Sequence, residues 1–416
     1  MRLGLSRGGA ALTRTLFHGG MVFDGTMAPI AAADVVVEDD RIVEVGPGLD
    51  GDEGIDCTGR TLLPGLFDTH THVIFSTLDW VEELVTPFSF RFYDAMRNLE
   101  ATLATGITTV RDAGGADAGV KKAVDDGVIA GPRMRISVNM LSQTGGHADG
   151  WLRSGVDLDV EWPGSPSGRV DGPDAVRRKV REMIRAGADV IKVATSGGVL
   201  SPTDDPRHPH FRPDELEEMV AEATAAGIYV MAHAQGADGI KNAVRAGIRS
   251  IEHGIYLDDE GIELMLERGT WLVPTLVAPL GVLDAVDAGA SLPASTVEKA
   301  KAVIDVHRRN VGRAITAGVK VAMGTDSGVA PHGANLRELE ELVRCGMSPQ
   351  QALVATTSSA AALMGLDDAL GTLAPGMRAD LVLLDGDPLE MTTLRERIRQ
   401  VWQDGVVAVD EGKVLR

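Results

Sequence analysis

The sequence predicts an α/β fold, a (β/α)8 TIM barrel flanked by a small β-sandwich that both termini build together. Three observations predict it. Between residues 63 and 370, short apolar runs alternate with longer helical patterns, the signature of parallel strands joined by crossover helices. Eight such runs can be counted, the number that closes a barrel of this kind. At both ends of the chain the texture is different, with short β-rich runs separated by turn residues.

Taken in order, Leu16-Phe17, Val35 to Glu38 and Arg41 to Val45 read as strands of hairpins, with Gly19-Gly20 and Asp39-Asp40 as the turns. Ala379 to Leu384, Gly405 to Val409 and Lys413 to Leu415 form the matching set at the other end, the last two joined by a tight turn at Asp410-Glu411-Gly412. Two-stranded pieces are marginal alone, so the two ends are expected to meet in one sandwich. The expected division is residues 1–62 and 371–416 in the sandwich and 63–370 in the barrel. The eight barrel runs are Leu63 to His72, Ile107 to Arg111, Met134 to Val138, Val190 to Ala194, Tyr229 to His233, Ser250 to His253, Trp271 to Thr275 and Val321 to Gly324. Helical patterns fit between them, among them Pro173 to Ala186, Pro213 to Ala226 and Ser295 to Ala317, each opening on a Pro or Ser and followed by glycine.

Composition narrows the function. A chain of 416 residues with 44% hydrophobic and 24% charged residues is ordinary for a globular enzyme. A net charge of −20, with no cluster of Lys and Arg in the predicted loops, speaks against nucleic acid as a partner. Cys57 and Cys345 stand far apart without a CxxC, so neither a disulfide framework nor a thiolate metal site is expected, and a reducing, cytoplasmic setting fits. The first 23 residues carry Arg2, Arg7 and Arg14 but no apolar core of a signal peptide, and they read as a frayed extension. No run approaches the length of a membrane span.

Barrel enzymes carry their chemistry at the C-terminal ends of the strands, so the informative residues are those that end the runs. The first run ends in His70 and His72, whose i, i+2 spacing puts both rings on one face of a strand, while Pro64 and Gly65 argue against a helix. The fifth run ends in His233, the sixth in His253, and the eighth runs into Asp326; the fourth contains Lys192. Singly, each histidine reads as a satisfied buried side chain and Asp326 as a helix cap. Together, at equivalent strand ends, they read as ligands of divalent metal. A cationic amine among metal ligands is costly, but burial lowers a lysine pKa, and a neutral amine can add carbon dioxide to become a carbamate, a carboxylate-like bridge. His147 follows a Gly-Gly turn at the third strand's exit, where it can face substrate or a developing oxyanion, and Tyr256 and His332 lie on loops of the same face. His208 and His210 repeat the HxH spacing, but Pro206 and Pro209 place them in a lid loop, not among the ligands.

The set Asp68-Thr69-His70-Thr71-His72, Lys192, His233, Glu252-His253-Gly254 and Gly324-Thr325-Asp326 resembles the amidohydrolase superfamily with a binuclear zinc site, over nearly the whole chain. The resemblance implies that His70, His72 and Asp326 hold one metal ion, His233 and His253 the other, and carboxylated Lys192 bridges them. It also implies a homo-oligomer acting on a small-molecule or short-peptide substrate. Thr144 to His147, Ser196 to Ser201 and the loop after Glu252-His253 are similar to Xaa-Pro dipeptidases and related carboxypeptidases, which implies an amide substrate with a free α-carboxylate held by His147 and Tyr256; His332 is a further substrate-binding candidate from its place on the same face. The segment Asp205 to Phe211 departs from that subgroup. Asp326 is the expected general base, serving the leaving amine in turn. A deaminase on this barrel would place a glutamate at position 236, which is Gly236 here, and an inactive scaffold relative would have lost ligands, of which none is missing. A cyclic-amide hydrolase of the imidazolonepropionase kind is the remaining alternative.

Overall fold

A computed structural model describes residues 13–415 except 153, 160, 202 and 203, so the Arg2 and Arg7 part of the expected extension lies outside the described residues, whereas Arg14–His18 and Met21–Val22 are paired strands and not a frayed end. Two sheets face each other at one side. One has four strands from the N-terminal segment, Arg41–Gly46, Asp34–Glu38, Arg14–His18 and Glu53–Asp56 in that spatial order. The other has seven and joins the two ends of the chain, because Leu381–Asp385 pairs antiparallel with Arg60–Pro64. Phe17, Val35, Ile42, Leu62, Leu381 and Trp402 interdigitate between these sheets, and the Phe17 and Trp402 rings meet edge to face at 5.1 Å. This is the predicted sandwich, closed by apolar burial on the facing sides.

The single run predicted from Leu63 to His72 is two strands. Arg60–Pro64 belongs to the sandwich and Leu66–Thr71 to the barrel. Gly65 is the corner between them, where a Cβ would stand 2.2 Å from Thr108 Oγ1. Only glycine lets the chain cross so close to the neighbouring strand.

From Leu66–Thr71 the parallel order runs through Ile107–Asp112 to Arg133–Ile136. The third strand breaks at Val138, whose φ of 67° is left-handed, and resumes as Met140–Leu141 beside Ile191–Ala194. Val230–Ala234, Ser250–His253 and Trp271–Val273 follow in parallel register. The eighth member, around Val321, is hydrogen-bonded on both sides: Leu272 N donates to Lys320 O at 2.8 Å, and Thr69 N donates to Met323 O at 2.9 Å. Those bonds close the ring. The predicted helices appear as Pro173–Arg185, Pro213–Ala225 and Ala294–Ala317. Their apolar faces pack on the strands, which are buried at nearly every position, as a barrel covered by helices requires. Among the described residues no helix is long and apolar enough to cross a membrane.

Candidate metal centre

The ring delivers its polar strand ends to one place. The ligand atoms of His70, His253 and Asp326 lie within 4.8 Å of one another, all three residues buried. His72 joins them, its Nε2 3.1 Å from Asp326 Oδ1, and Lys192 Nζ stands 3.3 Å from His70 Nε2. His233 completes the group, its ring centroid 4.6 Å from that of His253. The backbone is bent to make this possible: His253, Thr275 and Asp326 have φ of 70°, 51° and 61°. Non-glycine residues hold such angles only where their surroundings over-determine them, and functional sites are where that happens.

Each imidazole has one nitrogen locked from behind. His70 Nδ1 meets Glu252 Oε2 at 2.7 Å, His72 Nδ1 meets Gly114 O at 2.8 Å, and His253 Nδ1 meets Thr275 Oγ1 at 2.6 Å. His233 is turned the other way, with Nε2 3.2 Å from Gly197 O. The remaining nitrogens of His70, His72 and His253 are thereby aimed at the centre, which is how metal-binding histidines are oriented by the groups around them. Burial, with His147, His253 and Lys192 adding to it, holds the His233 ring well below the usual histidine pKa, and burial does the same for His253. Both rings are therefore neutral at pH 7, the form in which an imidazole can bind a metal ion. Burial opposes ionisation of Asp326, yet the His70 and His72 rings keep its carboxyl well below the usual range. The Lys192 ammonium is pushed by burial down to about 8, against the pull of Glu252 and Asp326. Four imidazoles, a carboxylate and a buried amine make a donor set that fits divalent metal.

These groups form the floor of a cavity of about 710 Å3, whose outer walls include Leu78, Phe88, Trp162 and Val282. The family model for "Amidohydrolase family" matches residues 61–410 of this sequence. The chain belongs to the amidohydrolase family. Ochratoxinase from Aspergillus niger is 35% identical over 415 residues, covering 94% of this chain and 86% of that protein. A crystal structure of a Xaa-Pro dipeptidase with bound methionine in the active site superposes with a TM-score of 0.89 at 32% identity, covering 95% of this chain and 99% of the other. Imidazolonepropionase from Geobacillus kaustophilus is 26% identical, covering 92% of each chain. This amidohydrolase is accordingly a hydrolase acting on amide bonds.

Of the residues predicted to bind substrate, His147 lines the cavity, stacked on His233 with centroids 4.2 Å apart and planes 17° apart. Tyr256 and His332 are not among the cavity's lining residues. His332 is tucked behind the site with Nε2 3.0 Å from Phe75 O, so it braces the chain after His72 and does not reach into the cavity. Tyr256 packs partly buried against the apolar cluster of Val199 and Ile255, with Arg207 and Asp205 near its hydroxyl. His208 and His210 lie in a segment that folds back on the fourth strand's exit, pairing Pro209 with Ser196, and neither lines the cavity.

Other residues of this amidohydrolase hold the site from behind, in roles that the sequence does not assign. Arg111 is fully buried and donates to Thr69 O at 2.6 Å and to Glu252 Oε1 at 2.9 Å, so Glu252 ties it to the back of His70. Asp68 accepts from Thr325 Oγ1 at 2.6 Å and Asn335 Nδ2 at 2.8 Å, pinning the first strand to the eighth. Gln235, two residues after His233, is 5% exposed, lines the cavity, and its Oε1 has no partner among the described residues. A strand-end arginine and the acid of Glu252-His253-Gly254 were the available hints.

Proposed function

We propose that this amidohydrolase cleaves the amide bond of a dipeptide or N-acyl amino acid, releasing an amino acid with a free α-carboxylate. The observation that carries the reading is the buried group of His70, His253 and Asp326 within 4.8 Å, with His72, His233 and Lys192 around it, at the floor of the cavity. His70, His72 and Asp326 would hold one divalent ion and His233 and His253 a second, with carboxylated Lys192 between them; a set rich in imidazole suits zinc. When bound, two such ions acidify a water and polarise a carbonyl. Asp326, ionised and held by its Oδ1 against the His70 and His72 rings, takes the water's proton and hands it to the departing amine nitrogen. His147, on the cavity wall beside His233, donates to the substrate's carboxylate or to the carbonyl oxygen as charge grows on it. The apolar outer walls keep water from the reacting bond and strengthen each of these contacts.

The dipeptide and N-acyl reading is supported by the likeness to a Xaa-Pro dipeptidase and to ochratoxinase. A cyclic amide is the second reading, supported by the more distant likeness to imidazolonepropionase. Metal-reconstituted protein assayed against Xaa-Pro dipeptides, N-acyl amino acids and cyclic amides decides between them. Turnover confined to cyclic amides would overturn the first reading.

A further inference from the structure

The loop after the fourth strand holds a carboxylate that none of the assigned roles uses. Asp204 has a side chain only 4% exposed, and its Oδ2 lies 3.2 Å from His147 Nδ1. Its two oxygens also accept from Gly198 N at 3.3 Å each. Burial would raise its pKa, but the hydrogen bond to His147 holds it below the usual carboxylate range. The loop around it is tied down from a distant helix: Lys299 Nζ donates to Gly198 O at 3.1 Å, Ser201 O at 2.8 Å and Asp204 O at 2.6 Å. A partly buried ammonium making three backbone bonds is a strong anchor for an irregular segment.

The same loop shapes the space for His147. A Cβ at Gly198 would stand 2.1 Å from His147 Cε1, so the ring lies flat against a backbone that has no side chain there. The other face of the ring is covered by His233 at 4.2 Å, and Gly197 O, the preceding carbonyl, holds His233 Nε2. His147 is therefore confined between two faces, with one edge free to choose its rotation about the ring axis. Asp204 removes that freedom. By accepting from Nδ1 it fixes which nitrogen points back into the protein and leaves Nε2 as the atom facing substrate, as a carboxylate behind an imidazole does.

We infer that Asp204, anchored by Lys299, is a positioning residue that sets the orientation and tautomer of His147 for substrate binding. The inference rests on the role given to His147 above. If Asp204 acts through His147, removing either should cost nearly the same and removing both little more, because the contributions of residues acting as a unit do not add.

The test is a double-mutant cycle with zinc-loaded protein and a dipeptide substrate, using Asp204→Ala, Asp204→Asn, His147→Ala and the pair Asp204→Ala with His147→Ala. Metal content and KM and kcat are read for each. Asp204→Ala should lower kcat/KM roughly tenfold or more, the scale of one charge-assisted hydrogen bond. It should divide that loss between KM and kcat as His147→Ala does, with unchanged metal content, and change kcat/KM less than about twofold in the His147→Ala background. Asp204→Asn, which keeps an acceptor and the loop's shape, should recover part of the loss and serves as the cycle partner if the alanine variant does not fold. Equal losses from Asp204→Ala in both backgrounds would assign Asp204 to loop architecture and overturn the inference alone. Wild-type kinetics for His147→Ala would overturn the role of His147, and the inference with it.

Discussion

Glu252 is the point at which the stability of the barrel and the orientation of the metal centre are the same interaction. Its carboxylate is fully buried and accepts from Arg111 Nη2 at 2.9 Å, Ser250 Oγ at 2.5 Å and His70 Nδ1 at 2.7 Å. Glu252→Leu keeps the volume apolar and strands the guanidinium. Breaking a buried pair from one side costs about 3–5 kcal/mol. The carboxyl reflects the same interaction: burial opposes its ionisation, Arg111 and His70 outweigh burial, and the fall from 4.5 to about 2 is on the order of 3 kcal/mol. With an unfolding entropy of about 2.1 cal/mol/K per residue, that loss over 416 residues lowers Tm by about 3–6 °C. Because the folded pKa lies below the unfolded value, this stability is complete above pH 4.5 and is lost as the pH falls toward 2. The gap between wild type and variant in the metal-depleted protein should therefore be flat from about pH 6 to 8 and narrow only below about 4.5. Adding Arg111→Met should restore most of the lost Tm, since an apolar pair can replace a buried ion pair. Metal affinity should stay about 10- to 100-fold weaker in both variants, because His70 has lost the partner that aims it. Differential scanning calorimetry with metal titration measures both. A Tm within 1 °C of wild type, or no rescue by Arg111→Met, would refute the reasoning.

Asp326→Asn should keep the fold while lowering kcat by roughly 10²-fold or more, read by steady-state kinetics on protein of verified metal content; unchanged turnover would move the base elsewhere, with His147 next in line. Amidating the substrate's C-terminus should reduce kcat/KM by roughly 10- to 100-fold, and His147→Ala should shrink that discrimination without emptying the metal site. Equal cleavage of free and amidated substrates by the wild type would favour the cyclic-amide reading. Gln235→Leu removes a buried oxygen that has no partner among the described residues, so Tm should hold or rise while kcat/KM falls roughly tenfold. Loss of Tm with intact kinetics would make Gln235 a structural residue.

What the sequence shows well is whatever depends on neighbours in the chain. Period and punctuation locate each barrel run, and the i, i+2 spacing of His70 and His72 survives folding because a strand puts both on one face. The break at Gly65 was hidden because one continuous apolar run serves two sheets, and what separates them is the side chain of Thr108, on another strand. The eighth run forms the ring through backbone bonds to Leu272 and Thr69 that no local pattern announces. The same reason hid Arg111, whose partner Glu252 is 141 residues away, and Asp204, whose partner His147 is 57 residues away. Tyr256 and His332 depend on a different kind of information. Lying on loops of the right face does not decide which way a loop runs, and His332 turns back to brace Phe75.

The proposed amide hydrolysis requires two divalent ions, with Lys192 as their proposed bridge. The most direct measurement is elemental analysis of purified wild type and Lys192→Ala, with turnover of an amide substrate recorded on the same samples. Two divalent ions per wild-type chain, and a Lys192→Ala protein that is folded but has lost most metal and activity, is the result expected. Full wild-type activity with less than one ion per chain, or wild-type turnover in folded Lys192→Ala, would contradict it.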